Sequence, residues 1–579
     1  MNGAEYIAKY LHDQGIEVVF ELVGGMITHL VDAIYRQGNI KLVSMHHEQA
    51  AAFAAEAVAR INGRPGVALA TSGPGATNLL TGIGSCYFDS VPVVFITGQV
   101  NRDEQKGARN IRQLGFQETD IVAMAEPITK AAWRVTSPEE LPTILTKAFQ
   151  IALSGRPGPV LVDVPMDVQR LPCEGTQEEL DTSFSSQAPL SQEIAKKLLH
   201  ELYQAERPVI LAGGGVRAAK SADFLRQFVE RLDVPVVHSL MGVDLLPYQH
   251  PLNVGMIGSY GNRWANLSVA SSDFLLVLGS RLDIRQTSSN VTAFRDGRTI
   301  YHVDCDWAEI NNRVLGCHPI HADLRDFFQV MLPLIQSEAS GSRDSWLKTI
   351  AELRRSWPDT AELRDIGGVN PNVFMHQLSA TCQAASAYVI DVGQHQMWAA
   401  QSIEVGESQR FLTSGGMGAM GFALPSAVGA AFACPTRPVI VVAGDGSFQV
   451  NIQELQTIVR NNLPVKMVVL NNQCHGMVRQ FQQSYFQERY QSTAWGYSTP
   501  DFASVARAYG IKAFTVNNPS DVEEGLSCMW QDQDTPFLLE VAISEHANAY
   551  PKTMFGKFIS EMEPVFSETT PRDNVEEQI

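Results

Sequence analysis

The sequence predicts an α/β protein built from three doubly wound parallel-sheet domains. Its 579 residues are too many for one hydrophobic core, and length alone suggests about three or four domains. Short apolar runs alternate with helical patterns through three successive blocks, which favours parallel sheets. Several runs end in glycine, as at Gly213-Gly214-Gly215, Gly279 and Gly444, where a parallel strand hands over to a helix.

The first block is assigned to residues 1–170. Its opening, Met1 to Leu11, has the spacing of an amphipathic helix. It has no basic start, long apolar stretch or cleavage site, so it is not a signal peptide. Strands are expected at Val18–Phe20, Lys41–Met45, Gly66–Ala70 and Val93–Ile96. Residues 171–190 are a linker, polar from Cys173 to Ser186. The second block, 191–335, has strands ending at Gly213, at Gly279 and at Asp304 and looks like a nucleotide-binding domain. Residues 336–368 form a second linker, beginning with the polar run Gln336–Asp344, and a connecting helix. The third block, 369–550, precedes a C-terminal tail, 551–579, whose last residues are polar and acidic.

A net charge of −18 and the lack of any Lys/Arg run argue against a nucleic-acid surface. No apolar run is long enough to span a membrane. The eight cysteines are scattered without a C-x-x-C pair, and His302, Cys305, Cys317 and His318 fit no common zinc spacing. The cysteines are expected to be buried thiols in a reducing cytoplasm.

The third block carries the most specific signal. Val439–Ala443 is an apolar strand, Gly444-Asp445-Gly446 a turn, Asn451–Asn461 an expected helix, and Val468–Leu470 a second strand before Asn471-Asn472. This places a carboxylate and a carboxamide together at the ends of two parallel strands. The glycines admit an anion close to the backbone, and a helix N-terminus adds N–H donors. Asp445 and Asn472 are hard oxygen ligands suited to Mg²⁺ or Ca²⁺ shared with a diphosphate. In the first block, Glu48 stands where a strand gives way to an alanine-rich helix. Taken alone it reads more simply as a first-turn glutamate that suits the helix dipole. A partly desolvated carboxylate there would also suit proton sharing.

The Gly-Asp-Gly and Asn-Asn pair resembles the diphosphate- and metal-binding motif of thiamine diphosphate (ThDP) enzymes. His47-Glu48-Gln49, Thr71 to Asn78, Thr97 to Val100, Phe116-Gln117-Glu118, Val392 to Trp398 and Thr413 to Gly421 extend the likeness. Together they are similar to acetohydroxyacid (acetolactate) synthases over roughly Ala4 to Glu545. The resemblance implies that Glu48 activates the cofactor's aminopyrimidine and that Phe116 and Gln117 lie near the reacting substrate. It implies Mg²⁺ on Asp445, Asn472 and the Cys474 carbonyl. ThDP would be held by Val392, Gln394, His395, Gly444, Gly446, Ser447, Gly476 and Met477, with Met420 beneath its bent rings. In that family the cofactor spans two subunits, so a homodimer or homotetramer is implied.

The middle block's Gly279-Ser280-Arg281-Leu282-Asp283-Ile284-Arg285 is similar to the family's flavin segment. FAD is thereby implied, near Gly213, Gly214, Gly215, Arg281, Asp283, Arg285, Asp304 and Asp323, with Arg285 also holding an acceptor carboxylate. Three positions depart from the family pattern around the substrate pocket of Val23, Gly24, Met166, Arg285 and Phe481. Val23 replaces a proline, Met166 a lysine, and Phe481 a tryptophan that shapes the acceptor pocket. The expected activity is decarboxylating transfer of the two-carbon unit of pyruvate, or a similar 2-keto acid, to a second carbonyl compound. The departures, with a C-terminal segment from Tyr550 to Pro564 unlike the usual synthase ending, leave acetyl transfer to a nucleotide-linked keto sugar as an alternative. A flavin-dependent 2-keto acid oxidase and a cyclic diketone hydrolase rank below it.

Overall fold

A computed structural model describes residues 1–173, 190–335 and 343–566. Most of both polar linkers and the acidic residues 567–579 lie outside the described residues.

The first sheet contains β1 (Val18–Leu22), β2 (Lys41–Ser44), β3 (Gly66–Ala70), β4 (Val93–Gln99), β5 (Ala131–Arg134) and β6 (Val160–Pro165). The second contains β7 (Pro208–Ala212), β8 (Val236–His238), β9 (Asn253–Met256), β10 (Phe274–Leu278), β11 (Thr299–Asp304) and β12 (His318–His321). The third contains β13 (Ala387–Ile390), β14 (Arg410–Thr413), β15 (Val439–Gly444), β16 (Val465–Asn471), β17 (Lys512–Val516) and β18 (Phe537–Ala542). Every pairing within these three sheets is parallel, so the expected α/β class holds.

The strand orders are β2-β1-β3-β4-β6-β5, β12-β11-β10-β7-β8-β9 and β14-β13-β15-β16-β18-β17. Counted from its own first strand, the third sheet repeats the order of the first. The second follows the order of dinucleotide-binding domains, with its switch point between β7 and β10.

Local chemistry sets several boundaries. The N-terminal helix Gly3–Asp13 starts at a capping box, in which Asn2 Oδ1 accepts from Glu5 N–H and Glu5 accepts from Asn2 N–H. Strand β4 runs past its apolar stretch because Thr97 and Gln99 are satisfied inside. Both donate to the buried Asp163 carboxylate, at 2.8 and 3.0 Å. Burial pushes that carboxyl up to about 6.

Two expectations need correction. The helix after the Gly-Asp-Gly turn begins at Asp445 and ends at Val450; a short 3₁₀ turn and the helix Leu455–Arg460 follow. The break comes at Asn451, whose side-chain amide donates to the Gly421 carbonyl (2.8 Å) instead of facing solvent. All eight cysteines are free thiols, but Cys305, Cys434 and Cys528 are only half-buried. Among the described residues no cluster of three His, Cys, Asp or Glu is placed to hold a metal, and no helix is long and apolar enough to cross a membrane.

The first and third sheets share one core. The alanine-rich helix Glu48–Asn62 packs on the helix Ala423–Ala433, with Phe53 edge-on to Phe422 at 5.4 Å. The alanines allow backbone-to-backbone approach. A Cβ added at Gly429, Gly66 or Gly82 would collide with Ala54, Ala55 or Ala52 respectively. Each buried phenylalanine in such a core contributes about 1.5–3 kcal/mol.

The connecting segment after the second linker is anchored by His376, which contacts both Asp359 and Glu404 at 2.9 Å beside the Tyr248 ring. Burial alone would lower its pKa, but the two carboxylates outweigh it and raise it to about 9. The folded pKa therefore exceeds the unfolded one, so this stabilisation is complete below about pH 6.5 and is lost as pH rises through 9. Discounted for half-exposed Glu404, the loss is about 2 kcal/mol. Urea unfolding of His376→Gln at pH 6 and pH 9.5 checks it: the variant is expected to lack most of the wild-type decline, and parallel declines would refute the assignment.

A two-stranded hairpin, β19 (Lys552–Thr553) and β20 (Met562–Glu563), closes the described chain. It is held to the middle domain where Ser288 donates to the Lys557 carbonyl and Gly556 N–H donates to Ser289.

Candidate active site

The third sheet's switch point, between β13 and β15, gathers most of the expected cofactor residues. Three helices, Gln394–Ser402, Asp445–Val450 and Gly476–Tyr485, begin there. Their N-termini concentrate N–H donors and positive dipole ends suited to a diphosphate. Gln394 and His395 are buried, and Asn472 donates to Gln394 Oε1 at 3.4 Å. Gly476 lets the Gln394 and Asn472 side chains close over it, since a Cβ there would push Gln394 Oε1 aside. Gly444 N–H lies 3.3 Å from His395 Nε2, and burial drives the imidazole pKa down to about 3, so the ring is neutral. Ser447 Oγ is engaged with the backbone of Gly444, capping the helix instead of standing free. Val392 N–H donates to Asp391, and Met477 is half-buried one residue into its helix.

Asp445 is buried, and one oxygen accepts from Gly446 N–H at 2.7 Å. Its other oxygen, Oδ2, is enclosed with no hydrogen-bond partner. Burial first of all pushes this carboxyl up to about 7, offset in part by N–H groups of Gly446, Gln473 and Cys474. An enclosed carboxylate lacking a partner is costly, and a divalent cation is the natural compensation. Asn472 and Cys474 flank Gln473, whose φ of +57° turns the backbone between them. A carboxylate, a carboxamide and a backbone carbonyl form an all-oxygen donor set that fits Mg²⁺. Asn471 is otherwise occupied, donating to Glu540 at 2.8 Å and accepting from Gln473.

The loop bearing Met420 is pinned at both ends. Asp89 accepts from Gly415 and Gly416 N–H at 2.9 and 2.6 Å, and Asp391 accepts from Gly421 and Ala423 N–H at 2.9 and 2.8 Å. Met420 is 37% exposed, a large apolar side chain left partly open on that loop.

The second cluster lies on the first domain. Glu48 begins its helix, is 6% exposed, and accepts from Asn78 Nδ2 at 2.9 Å. The space left by Gly75 opens beside its other oxygen. Gln117, in the left-handed region at φ +66°, packs on Gly73. Gly24 sits against Thr71, and Gln169, from the helix begun by Met166, donates to the Met26 carbonyl at 2.8 Å. Val23, Gly24 and Met166 thus lie just past the C-terminal ends of β1 and β6, and Gln117 beside Gly73, past the end of β3. Phe116, the residue before Gln117, is 78% exposed. The Glu48 and Asp445 clusters are built within different domains.

The third group lines a cavity of about 530 Å³ at the middle sheet's switch point, bordered by Gly214, Gly215, Arg281, Asp283, Arg285, Asp304 and Asp323. Gly213 is set behind this wall, its backbone against Gly279. Arg281 pairs with Asp283 at 3.4 Å, and Asp323 caps a helix by accepting from Arg325 N–H. Asp304 is buried and its carboxyl is pushed up to about 6. Phe481, by contrast, belongs to the helix Gly476–Tyr485, with its ring 4.7 Å from Tyr485.

Sequence reasoning missed Asp391, Asn78 and Tyr497. Tyr497 comes from an irregular loop, where its hydroxyl accepts from Gln449 Nε2 at 3.5 Å, and no sequence period announces it. Asn78 stands at the end of the Thr71–Asn78 motif, so that motif was the available signal.

Family models agree with this division: a thiamine pyrophosphate enzyme N-terminal TPP binding domain matches residues 1–124, a central domain 195–331, and a C-terminal TPP binding domain 391–541. The acetolactate synthase isozyme 2 large subunit of Escherichia coli K12 is 39% identical over 97% of this chain and 99% of its own. The chain belongs to the acetolactate synthase large-subunit family of thiamine pyrophosphate enzymes. The family's large subunit from Lactococcus lactis is 36% identical over 97% of this chain and 96% of its own. A probable large subunit from Methanocaldococcus jannaschii is 36% identical over 95% and 93%.

Proposed function

We propose that this protein is a ThDP- and Mg²⁺-dependent carboligase of acetolactate synthase type, which joins the two-carbon unit of pyruvate or a similar 2-keto acid to a second carbonyl compound. The enclosed, partnerless Asp445 oxygen among three converging helix N-termini is the observation that carries it. ThDP, when bound, supplies a nucleophilic carbon and a sink for the electron pair released with carbon dioxide. Asp445, Asn472 and the Cys474 carbonyl would hold the metal, and the helix starts at Gln394 and Gly476 the diphosphate. Met420 would support the rings on its pinned loop. Glu48, held by Asn78 in a nearly dry pocket, would keep a proton shared with the pyrimidine side of the cofactor.

A homodimer or homotetramer, with the site completed between two copies of the chain, is what the resemblance to acetolactate synthases implies. Arg285, exposed at the cavity mouth, suits an acceptor carboxylate. That favours a 2-keto acid acceptor over a nucleotide-linked keto sugar. Incubating the protein with ThDP, Mg²⁺, FAD and pyruvate, while measuring carbon dioxide and acetolactate together, tests the reading. Equal amounts of the two are expected. Carbon dioxide without acetolactate would remove the synthase form and redirect the search to other acceptors.

The middle cavity fits FAD in strand order, glycine placement and volume. A Cβ at Gly215 would come within 2.7 Å of the Gly279 backbone, forcing the two phosphate-approach turns apart. Gly215→Ala is therefore expected to lower flavin retention at least about tenfold, a cost of about 1.4 kcal/mol. Flavin absorbance after desalting measures it; undiminished retention would place the flavin elsewhere.

A further inference from the structure

A chain of contacts joins the C-terminal hairpin to the acceptor side of the site. Ser259 N–H donates to the Arg285 carbonyl at 2.6 Å, and Thr553 N–H donates to the Ser259 carbonyl at 2.8 Å. One residue thus stitches β19 to the arginine at the cavity mouth. Next to Thr553, the Lys552 side chain is only 12% exposed. Its ammonium donates to Ser484 Oγ at 3.2 Å and lies 3.6 Å from the carboxylate of Glu563, its cross-strand partner. It also sits 5.3 Å over the ring of Tyr485, whose other neighbour is Phe481 at 4.7 Å. Tyr260, half-buried nearby, is within electrostatic reach of Arg285, Tyr485 and Glu563 alike.

An ammonium has three donors. Here the Ser484 hydroxyl, the Glu563 carboxylate and the Tyr485 ring face, all groups of the protein itself, surround it. A stabilising role is small, since the pair with half-exposed Glu563 is worth little. What the lysine does fix is the ring of Tyr485, which is otherwise half exposed on its helix and free to change rotamer. Through Tyr485 it fixes Phe481, whose ring is otherwise more than half exposed on the same helix.

Resting on the carboligase reading, we propose that Lys552 is a specificity-determining positioning residue: it holds Tyr485 against Phe481 and so sets the room available to the acceptor beside Arg285. The hairpin acts as a peg behind the acceptor wall, with Ser259 keeping peg and arginine in register.

The test is a competition between pyruvate and 2-ketobutyrate as acceptors, scored as the ratio of the two products. Both products share the donor step, so the ratio is blind to cofactor loading and to general loss of activity. Lys552→Met is expected to move the ratio about fivefold toward 2-ketobutyrate, the size of one lost cation–π contact. Lys552→Arg, which keeps the charge over the ring, is expected to stay within about twofold of the wild type. Tyr485→Leu, at a half-exposed helix position, should move the ratio in the same direction as Lys552→Met and serves if that variant does not fold. An unchanged ratio in the folded Met or Leu variant overturns the proposal, as does an Arg variant that shifts as far as the Met variant. A wild-type protein that makes neither product overturns the carboligase reading and this proposal with it; a wild type that makes both, with unchanged variants, overturns this proposal alone.

Discussion

Glu48→Gln is expected to slow carbon dioxide release from pyruvate by about 10²- to 10⁴-fold, the range of a lost proton-transfer group. The substitution is close to isosteric. Asn78 Nδ2, now 2.9 Å from the carboxylate, can still donate to the glutamine carbonyl. The helix start and the gap opposite Gly75 also stay as they are, so what is removed is the charge and the ability to share a proton. Thermal melting of the variant within a few degrees of the wild type would establish that the fold is intact. Activity within about tenfold of the wild type would return Glu48 to the role of a helix first-turn carboxylate.

The second large effect is two-sided. Asp445→Asn is expected to weaken Mg²⁺-dependent ThDP binding by about 10²-fold, the value of a charged ligand exchanged for a neutral one. The same change should leave the cofactor-free protein as stable as the wild type or more so, because it removes a carboxylate whose Oδ2 is enclosed and partnerless. Melting curves with and without Mg²⁺ and ThDP separate the two. The wild type should gain stability with cofactor through mass action, and the variant should gain little. A variant destabilised without cofactor yet fully stabilised by it would show that Asp445 serves the fold and not the metal.

Much of this architecture was legible because its strands are buried on both faces. Such strands appear as unbroken apolar runs, as at Val67–Ala70 and Val439–Ala443. Strand β12, His318-Pro319-Ile320-His321, was illegible for the converse reason: it is an edge strand with one buried side chain, where proline is tolerated. Strand β4 was read three residues short because its polar end is satisfied by Asp163, a partner distant in sequence. The helix break at Asn451 likewise depends on a carbonyl thirty residues away, at Gly421. In the candidate site, the Gly-Asp-Gly and Asn-Asn pairs could be placed because strand ends put them side by side. Asp391 could not, since its work is to accept N–H groups from a loop that only the fold brings near. Phe116, picked out beside Gln117, points away to solvent within this chain.

The contact between Gly429 and Ala54 bears on how such a protein can change over evolutionary time. Two helices that meet backbone to backbone cannot slide or tilt to accommodate a new side chain between them. One carries Glu48 at its start, and the other is fed by the Met420 loop. The innermost parts of the machine are therefore frozen as a block, inherited whole or lost whole. Novelty has to be written at the margins, on side chains whose exchange disturbs no neighbouring backbone. Val23 and Phe481 are more than half exposed, and Lys552 sits on a two-residue strand. On the reading proposed above, these are the places where a lineage can try a new substrate without risking the chemistry it already has.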